Sequence, residues 1–171
     1  MSERNVVAAG KHLRLVSVDG WEFAERTTCS GVVAIIAVTD DGKLILTQQF
    51  RRPVARRVID LPAGLAGDIS GQEHEPLERA ARRELLEETG YDAEEFNFLM
   101  RCPTSPGITN EIVSFFRAET IRRVNTGGGD ASEDITVYAV PLKTIDKWLA
   151  SQSPETTMVD HKVYAALHFV D

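Results

Sequence analysis

Three glutamates crowd the stretch RRELLEETG, residues 82–90: Glu84, Glu87 and Glu88. On a helix this spacing brings carboxylates one turn apart, so that Glu84 and Glu88 can point at one ion. Converging carboxylates are what a hard divalent cation binds. Without a cation the arrangement is unfavourable. Each anion near a helix C-terminus costs about 0.3–1 kcal/mol against the helix dipole. Ionised carboxylates on a buried face cost several kcal/mol more unless they are paired.

The face is set by the rest of the helix, which the pattern places from about Pro76 to Thr89. Pro76 fits the first helical position and Gly90 the C-terminal stop. At roughly 100° per residue, Leu77, Ala80, Ala81 and Leu85 form one apolar stripe. Glu84 and Glu88 fall in the middle of that stripe, and Glu87 at its edge. The bland alternative is a helix end that leaves the core with its glutamates in water. Rule-breaking at two levels favours a functional site instead.

Charge supports the same window. The chain has 171 residues and a formal net charge of −7. Residues 73–95 hold nine acidic and three basic residues, net −6, so the acidity is local rather than a property of the whole surface. Such a patch repels a nucleic-acid backbone, and no nucleic-acid partner is expected. No apolar run approaches the ~20 residues of a membrane span, and residues 1–12 lack a signal peptide's apolar stretch. No membrane partner and a cytoplasmic location are the expectation. Cys29 and Cys102 match no metal or redox spacing and read as reduced, buried thiols.

The elements that must position the glutamates follow from alternation and turns. HLRLVSV (12–18) and WEFAERTT (21–28) flank Asp19-Gly20, a hairpin signal. GVVAIIAVT (31–39) and KLILTQQF (43–50) flank a second turn, and the former is apolar on both faces, hence central. VIDL (58–61), FNFLMRC (96–102), IVSFFRA (112–118) and DITVYAVP (134–141) read as further strands. LKTIDKWLA (142–150) and the region of DHKVYAALHF (160–169) read as helices. The expected class is α/β, a mixed sheet covered by helices. Residues 1–28 are expected to form a small antiparallel β unit, and 29–171 the main domain. A free hairpin is marginal, so the unit should pack on the body or on a second subunit.

The stretch GLAGDISGQEHEPLERAARRELLEETGY (64–91) resembles the Nudix box. From Glu75 to Tyr91 every fixed position of that pattern is matched, including Arg83-Glu84 and Glu87-Glu88. Gly64 matches the first glycine, but ten residues rather than five separate it from Glu75, an insertion around Asp68–Glu73. QQFRRP (48–53) with IDLPAG (59–64), Pro106 fifteen residues after Tyr91, GWEFAERTT (20–28) and SEDITVYAVPL (132–142) resemble the ADP-ribose pyrophosphatase and nucleotide-sugar hydrolase subgroup of the Nudix hydrolases.

The resemblance implies a Nudix-type α/β/α sandwich and an Mg²⁺-dependent hydrolase, Mn²⁺ being the alternative ion. It implies a small-molecule nucleoside diphosphate sugar as substrate, ADP-ribose first, split to AMP and ribose 5-phosphate. GDP-mannose or a broad range of nucleotide sugars is the alternative. A non-catalytic nucleotide-sugar sensor is the reading from another class. The implied metal ligands are the Ala63 carbonyl, Glu84 and Glu88, with Glu87 close by and Arg83 pairing with one of the carboxylates. Glu133 is the candidate base, metal ligand or both, after the run Asn125–Asp130 that reads as flexible enough for a lid. Asp130, a box glutamate and Glu111 are alternatives for the base, because Ala131 stands where some relatives carry an earlier acid. Arg51 suits a phosphate clamp, since guanidinium matches phosphate bidentately. Trp21 is a candidate for stacking on the base across a homodimer, as the resembling hairpin does, against the ordinary reading of a core or interface filler.

Overall fold

The computed structural model describes residues 4–129, 134–153 and 155–170. Three strands come first, β1 (Arg4–Ala9), β2 (Leu13–Val18) and β3 (Trp21–Arg26), in one antiparallel sheet ordered β1-β2-β3. Asp19 and Gly20 both have positive φ, 50° and 83°, between the paired residues Val18 and Trp21. That is the two-residue turn whose twist matches antiparallel strands. β1 has no counterpart in the sequence reading. The sheet rests on the loop after residue 103. The Ala24 N–H donates to the Ile108 carbonyl at 2.7 Å, and Arg26 pairs with Glu111.

The body follows as β4 (Gly31–Ala37), β5 (Lys43–Arg51), β6 (Arg56–Asp60), β7 (Ala63–Ala66), α1 (Leu77–Thr89), β8 (Tyr91–Asp92), β9 (Glu95–Pro103) and β10 (Ile112–Glu119). It ends with β11 (Arg122–Arg123), β12 (Thr136–Pro141), α2 (Ile145–Ala150), β13 (Thr157–Val159) and α3 (His161–Leu167). One sheet runs β7-β4-β10-β9 and another β12-β5-β6-β13. Each contains one parallel pair, β4 with β10 and β6 with β13, so both are mixed.

β4 explains the layering. Its alternate residues face opposite ways. Val33, Ile35 and Ala37 join Ala80, Ala81 and Leu85 of α1 in one core cluster. Ala34 and Ile36 join Leu44, Leu46, Ile59, Ile145 and Leu149 of α2, and Val163 of α3, in the other. A strand buried on both faces with helices on either side is an α/β/α sandwich, the expected fold. Leu85 is fully buried against β4, which at about 1.5–3 kcal/mol for such a side chain pins α1 to the sheet.

Two local expectations need adjusting. Pro76 is the N-cap and Leu77 the first helical residue. β7 and β13 were not legible as strands. They are four and three residues long, and β7 contains Gly64, so neither offers a run of alternation to read.

Candidate active site

α1 presents its acids as the helical spacing requires. Glu88 is 6% exposed and the Glu84 side chain 12%, whereas the Glu87 side chain is 55% exposed. Glu84 and Glu88 line a cavity of about 550 Å³, together with Ala63, Gly64, Arg51 and Glu111. Glu87 is not among its lining residues.

β7 supplies the facing wall, and its edge position decides what that wall offers. The Ile35 N–H of β4 donates to the Pro62 carbonyl at 2.8 Å. Main-chain groups alternate sides along a strand, so those of Ala63 and Leu65 point away from β4. The Ala63 N–H duly donates to Glu88 Oε2 at 3.0 Å, and the Leu65 carbonyl accepts from Arg83 Nη2 at 2.8 Å. The Ala63 carbonyl lies on this same outward edge.

Gly64 is the other half of the fit. A Cβ at this position would overlap the carboxyl group of Glu84. Only glycine lets the helix carboxylate settle against the strand. Gly64→Ala is therefore expected to fold but to lose activity by about 10²-fold, as a misplacement of the order of 1 Å can produce. Turnover and a thermal melt on the same preparation check this; unchanged turnover would mean that Glu84 is not needed where it sits.

Arg83 organises the acids. Its Nε and Nη2 bond the two oxygens of Glu75 at 3.2 and 3.0 Å. Its Nη1 bonds Glu84 at 2.8 Å and Glu87 at 3.2 Å. Glu75, whose side chain is 1% exposed, is held below the usual carboxylate range by this guanidinium. Glu84 behaves oppositely: burial pushes its carboxyl up to about 7 in spite of Arg83. The expected pairing of Arg83 with one of the box acids is present at Glu84, and Glu75, which had no expected role, is its bidentate partner.

The glycine run corrects the expectation of a loose lid. Gly128 and Gly129 donate their N–H groups to the carbonyls of Glu88 at 2.8 Å and Glu87 at 3.0 Å. Gly127, at φ +64°, packs so closely that a Cβ would lie 2.7 Å from Thr89 Cα. These glycines cap the end of α1, where carbonyls lack partners, and their N–H dipoles offset the negative pole beneath the glutamates. Gly90, at φ +75°, closes the helix with its N–H on the Leu86 carbonyl. The inserted residues also fold tidily: Gln72 and Glu75 close turns onto Ile69 and Gln72 at 2.9 Å, leaving the helix undisturbed.

Of the other candidates, Arg51 and Glu111 lie on the cavity wall, and Glu111 is tied to Arg26, which also lines it. Trp21 is 70% exposed at the start of β3 and does not line the cavity, nor does Pro106 in the loop after β9. Glu133 and Asp130 lie outside the described residues. Sequence reasoning missed Asp60, Asp160 and Lys162, a charged cluster on the same wall in which Asp60 is buried and the other two are partly so. An aspartate inside the apolar run VIDL was the available signal.

Among the described residues no group of three His, Cys, Asp or Glu side chains is placed to hold a metal ion. Two carboxylates beside a main-chain carbonyl still suit Mg²⁺, which keeps several waters and is commonly held by one or two carboxylates plus substrate phosphate. The all-oxygen donor set and the cradle at Gly64 fit a hard dication.

The NUDIX domain family matches residues 30–160. The chain belongs to the Nudix hydrolase family. It is 44% identical over 123 residues to an ADP-ribose pyrophosphatase of Bacillus subtilis (strain 168), a match covering 71% of this chain and 64% of that protein. It is 31% identical over 121 residues to a GDP-mannose pyrophosphatase of Citrobacter koseri, covering 66% of this chain and 60% of that one. The chain thus matches less than two thirds of the length of either relative. A crystal structure described as an ADP compounds hydrolase superposes with a TM-score of 0.74 over 98% of this chain and 89% of its own, at 22% identity, which shows the shared fold. No helix among the described residues is long and apolar enough to cross a membrane.

Proposed function

We propose that the chain hydrolyses the pyrophosphate bond of a nucleoside diphosphate sugar with the help of Mg²⁺, and that ADP-ribose, cleaved to AMP and ribose 5-phosphate, is the substrate. The observation that carries this reading is the meeting of Glu84, Glu88 and the outward edge of Ala63 in one cavity. When bound, the dication would neutralise the pyrophosphate and acidify a water. Glu84 and Glu88 would hold it through their carboxylate oxygens. Arg83 fixes the Glu84 rotamer, as groups behind a metal ligand do. Arg51 places a guanidinium where phosphoryl oxygens can be gripped in pairs. Glu133 is assigned the role of base on its place in the sequence alone. A cavity of about 550 Å³ lies within the size range of small-molecule sites.

The name of the Bacillus subtilis relative favours ADP-ribose, and that of the Citrobacter koseri relative keeps GDP-mannose as the second reading. A panel of nucleotide sugars with Mg²⁺ or Mn²⁺, scored by product chromatography, separates them. The expected result is highest kcat/KM on ADP-ribose, with AMP and ribose 5-phosphate as products. Preference for GDP-mannose would shift the substrate, and no turnover on any member would favour a sensor.

The N-terminal sheet leaves Val6, Val7, Leu13 and Trp21 exposed, each by about half or more. We propose that residues 1–28 pair with a second copy through this sheet, with Trp21 offered to the partner's nucleotide. Sedimentation at micromolar concentration is expected to show a dimer that Trp21→Ala weakens; a monomer throughout would remove the idea.

A further inference from the structure

The cavity wall carries a second set of charges that the reaction outlined above does not use. Lys162, in the first turn of α3, places Nζ 3.0 Å from Asp60 Oδ2 and 2.8 Å from Asp160 Oδ1. The side chains of Lys162 and Asp60 are 12% and 9% exposed. Burial pushes the Asp60 carboxyl up, and the Lys162 ammonium works against that. A buried carboxylate held by one cation is a poor device for stability alone, because desolvation cancels much of the attraction.

Its position along the chain suggests what it is for. The other carboxyl oxygen of Asp60 accepts the Leu61 N–H at 2.8 Å. Next, the Pro62 carbonyl accepts from Ile35, and then the Ala63 N–H donates to Glu88. Four consecutive residues are thus pinned in turn, and the far end of the row is the candidate ligand edge. The near end is bolted from the C-terminal region: β13 pairs with β6, and the Asp160 N–H donates to the Ile59 carbonyl at 2.8 Å.

We propose that Lys162 is a positioning residue for the dication site: by holding the Asp60 carboxylate it fixes the Leu61–Ala63 backbone that sets the Ala63 carbonyl beside Glu88. This rests on the dication reading above. The test compares Mn²⁺ uptake, followed by the loss of the free-ion electron paramagnetic resonance signal, in the full chain, in Lys162→Met and in Asp60→Asn/Lys162→Met. Lys162→Met is expected to weaken Mn²⁺ binding about tenfold, the lower end for groups that orient metal ligands, and to lower kcat with KM for the nucleotide sugar little changed. The double variant removes both charges, yet the amide oxygen at position 60 still accepts the Leu61 N–H. It is expected to recover most of the Mn²⁺ affinity.

Wild-type Mn²⁺ affinity in Lys162→Met would overturn the proposal. So would a double variant as weak as the single one, or a rise in KM alone, which would place Lys162 directly on the substrate. Should Lys162→Met not fold, Lys162→Arg, which keeps the charge but moves it, is expected to show a smaller loss of Mn²⁺ affinity, and no loss would count against the role. A parent chain that takes up no Mn²⁺ would fell the dication reading itself, an outcome distinct from any difference between variants.

Discussion

Glu84→Gln is expected to lose turnover by about 10³-fold and yet, without dications and above pH 7, to be more stable than the parent. The loss follows from the several kcal/mol of charge stabilisation that a bound dication contributes, each 1.36 kcal/mol being a factor of ten in rate. The gain follows from the Glu84 carboxyl, which burial pushes up to about 7. A carboxyl with a raised folded pKa binds more protons folded than unfolded across the window from 4.5 to 7. Its contribution therefore falls as pH rises through that window. Above it, the ionised group costs on the order of 3 kcal/mol, which a neutral amide of the same shape does not incur. The amide oxygen can still accept from Arg83.

Denaturant unfolding in chelator at pH 4.5 and pH 8 checks this. The two proteins should be alike at the lower pH, and the variant ahead at the higher. Added Mn²⁺ should reverse the order by stabilising only the parent. Equal stability at both values would show that Glu84 is better solvated than the cavity implies. Glu88→Gln should lose comparable turnover, since Glu88 faces the same cavity.

Arg83→Met is expected to be the most destabilising change at the site. It removes both hydrogen bonds to Glu75 and leaves that carboxylate buried beside little more than the Gly67 N–H at 3.5 Å. Breaking a buried pair from one side costs about 3–5 kcal/mol, and a melting point some 10 °C lower follows for a chain of this size. Adding Glu75→Gln to Arg83→Met should restore part of the loss, because the orphaned charge is removed. Arg83→Lys should rescue little, since one ammonium cannot span the acceptors that the guanidinium forks across. A melting point within 2 °C of the parent would show that the network contributes no net stability.

The box helix was legible because its message is local. The spacing of Leu77, Ala81, Leu85 and the glutamates fixes which face is buried, and Leu85 and Glu88 are buried as that spacing requires. β4 was legible as central because GVVAIIA is apolar on both faces. What escaped was non-local. Nothing in the chain announces that Asp60 meets Lys162, 102 positions later. The glycines at 127–129 read as slack because composition records freedom of the backbone and not what the backbone docks against. Glu75 matched a motif position, but its burial appears only once Arg83 has folded back over the loop.

β7 is an edge strand, and unguarded edges recruit strands from other molecules. Its outward Ala63 N–H and Leu65 carbonyl are taken up by Glu88 and Arg83. The helix thus plays the part of a missing neighbouring strand, using side chains in place of a backbone. The same two residues that the proposed reaction draws on also blunt a route to aggregation. A descendant that gave up catalysis and lost both would have to shield that border by other means, such as a lysine, a proline or a bulge.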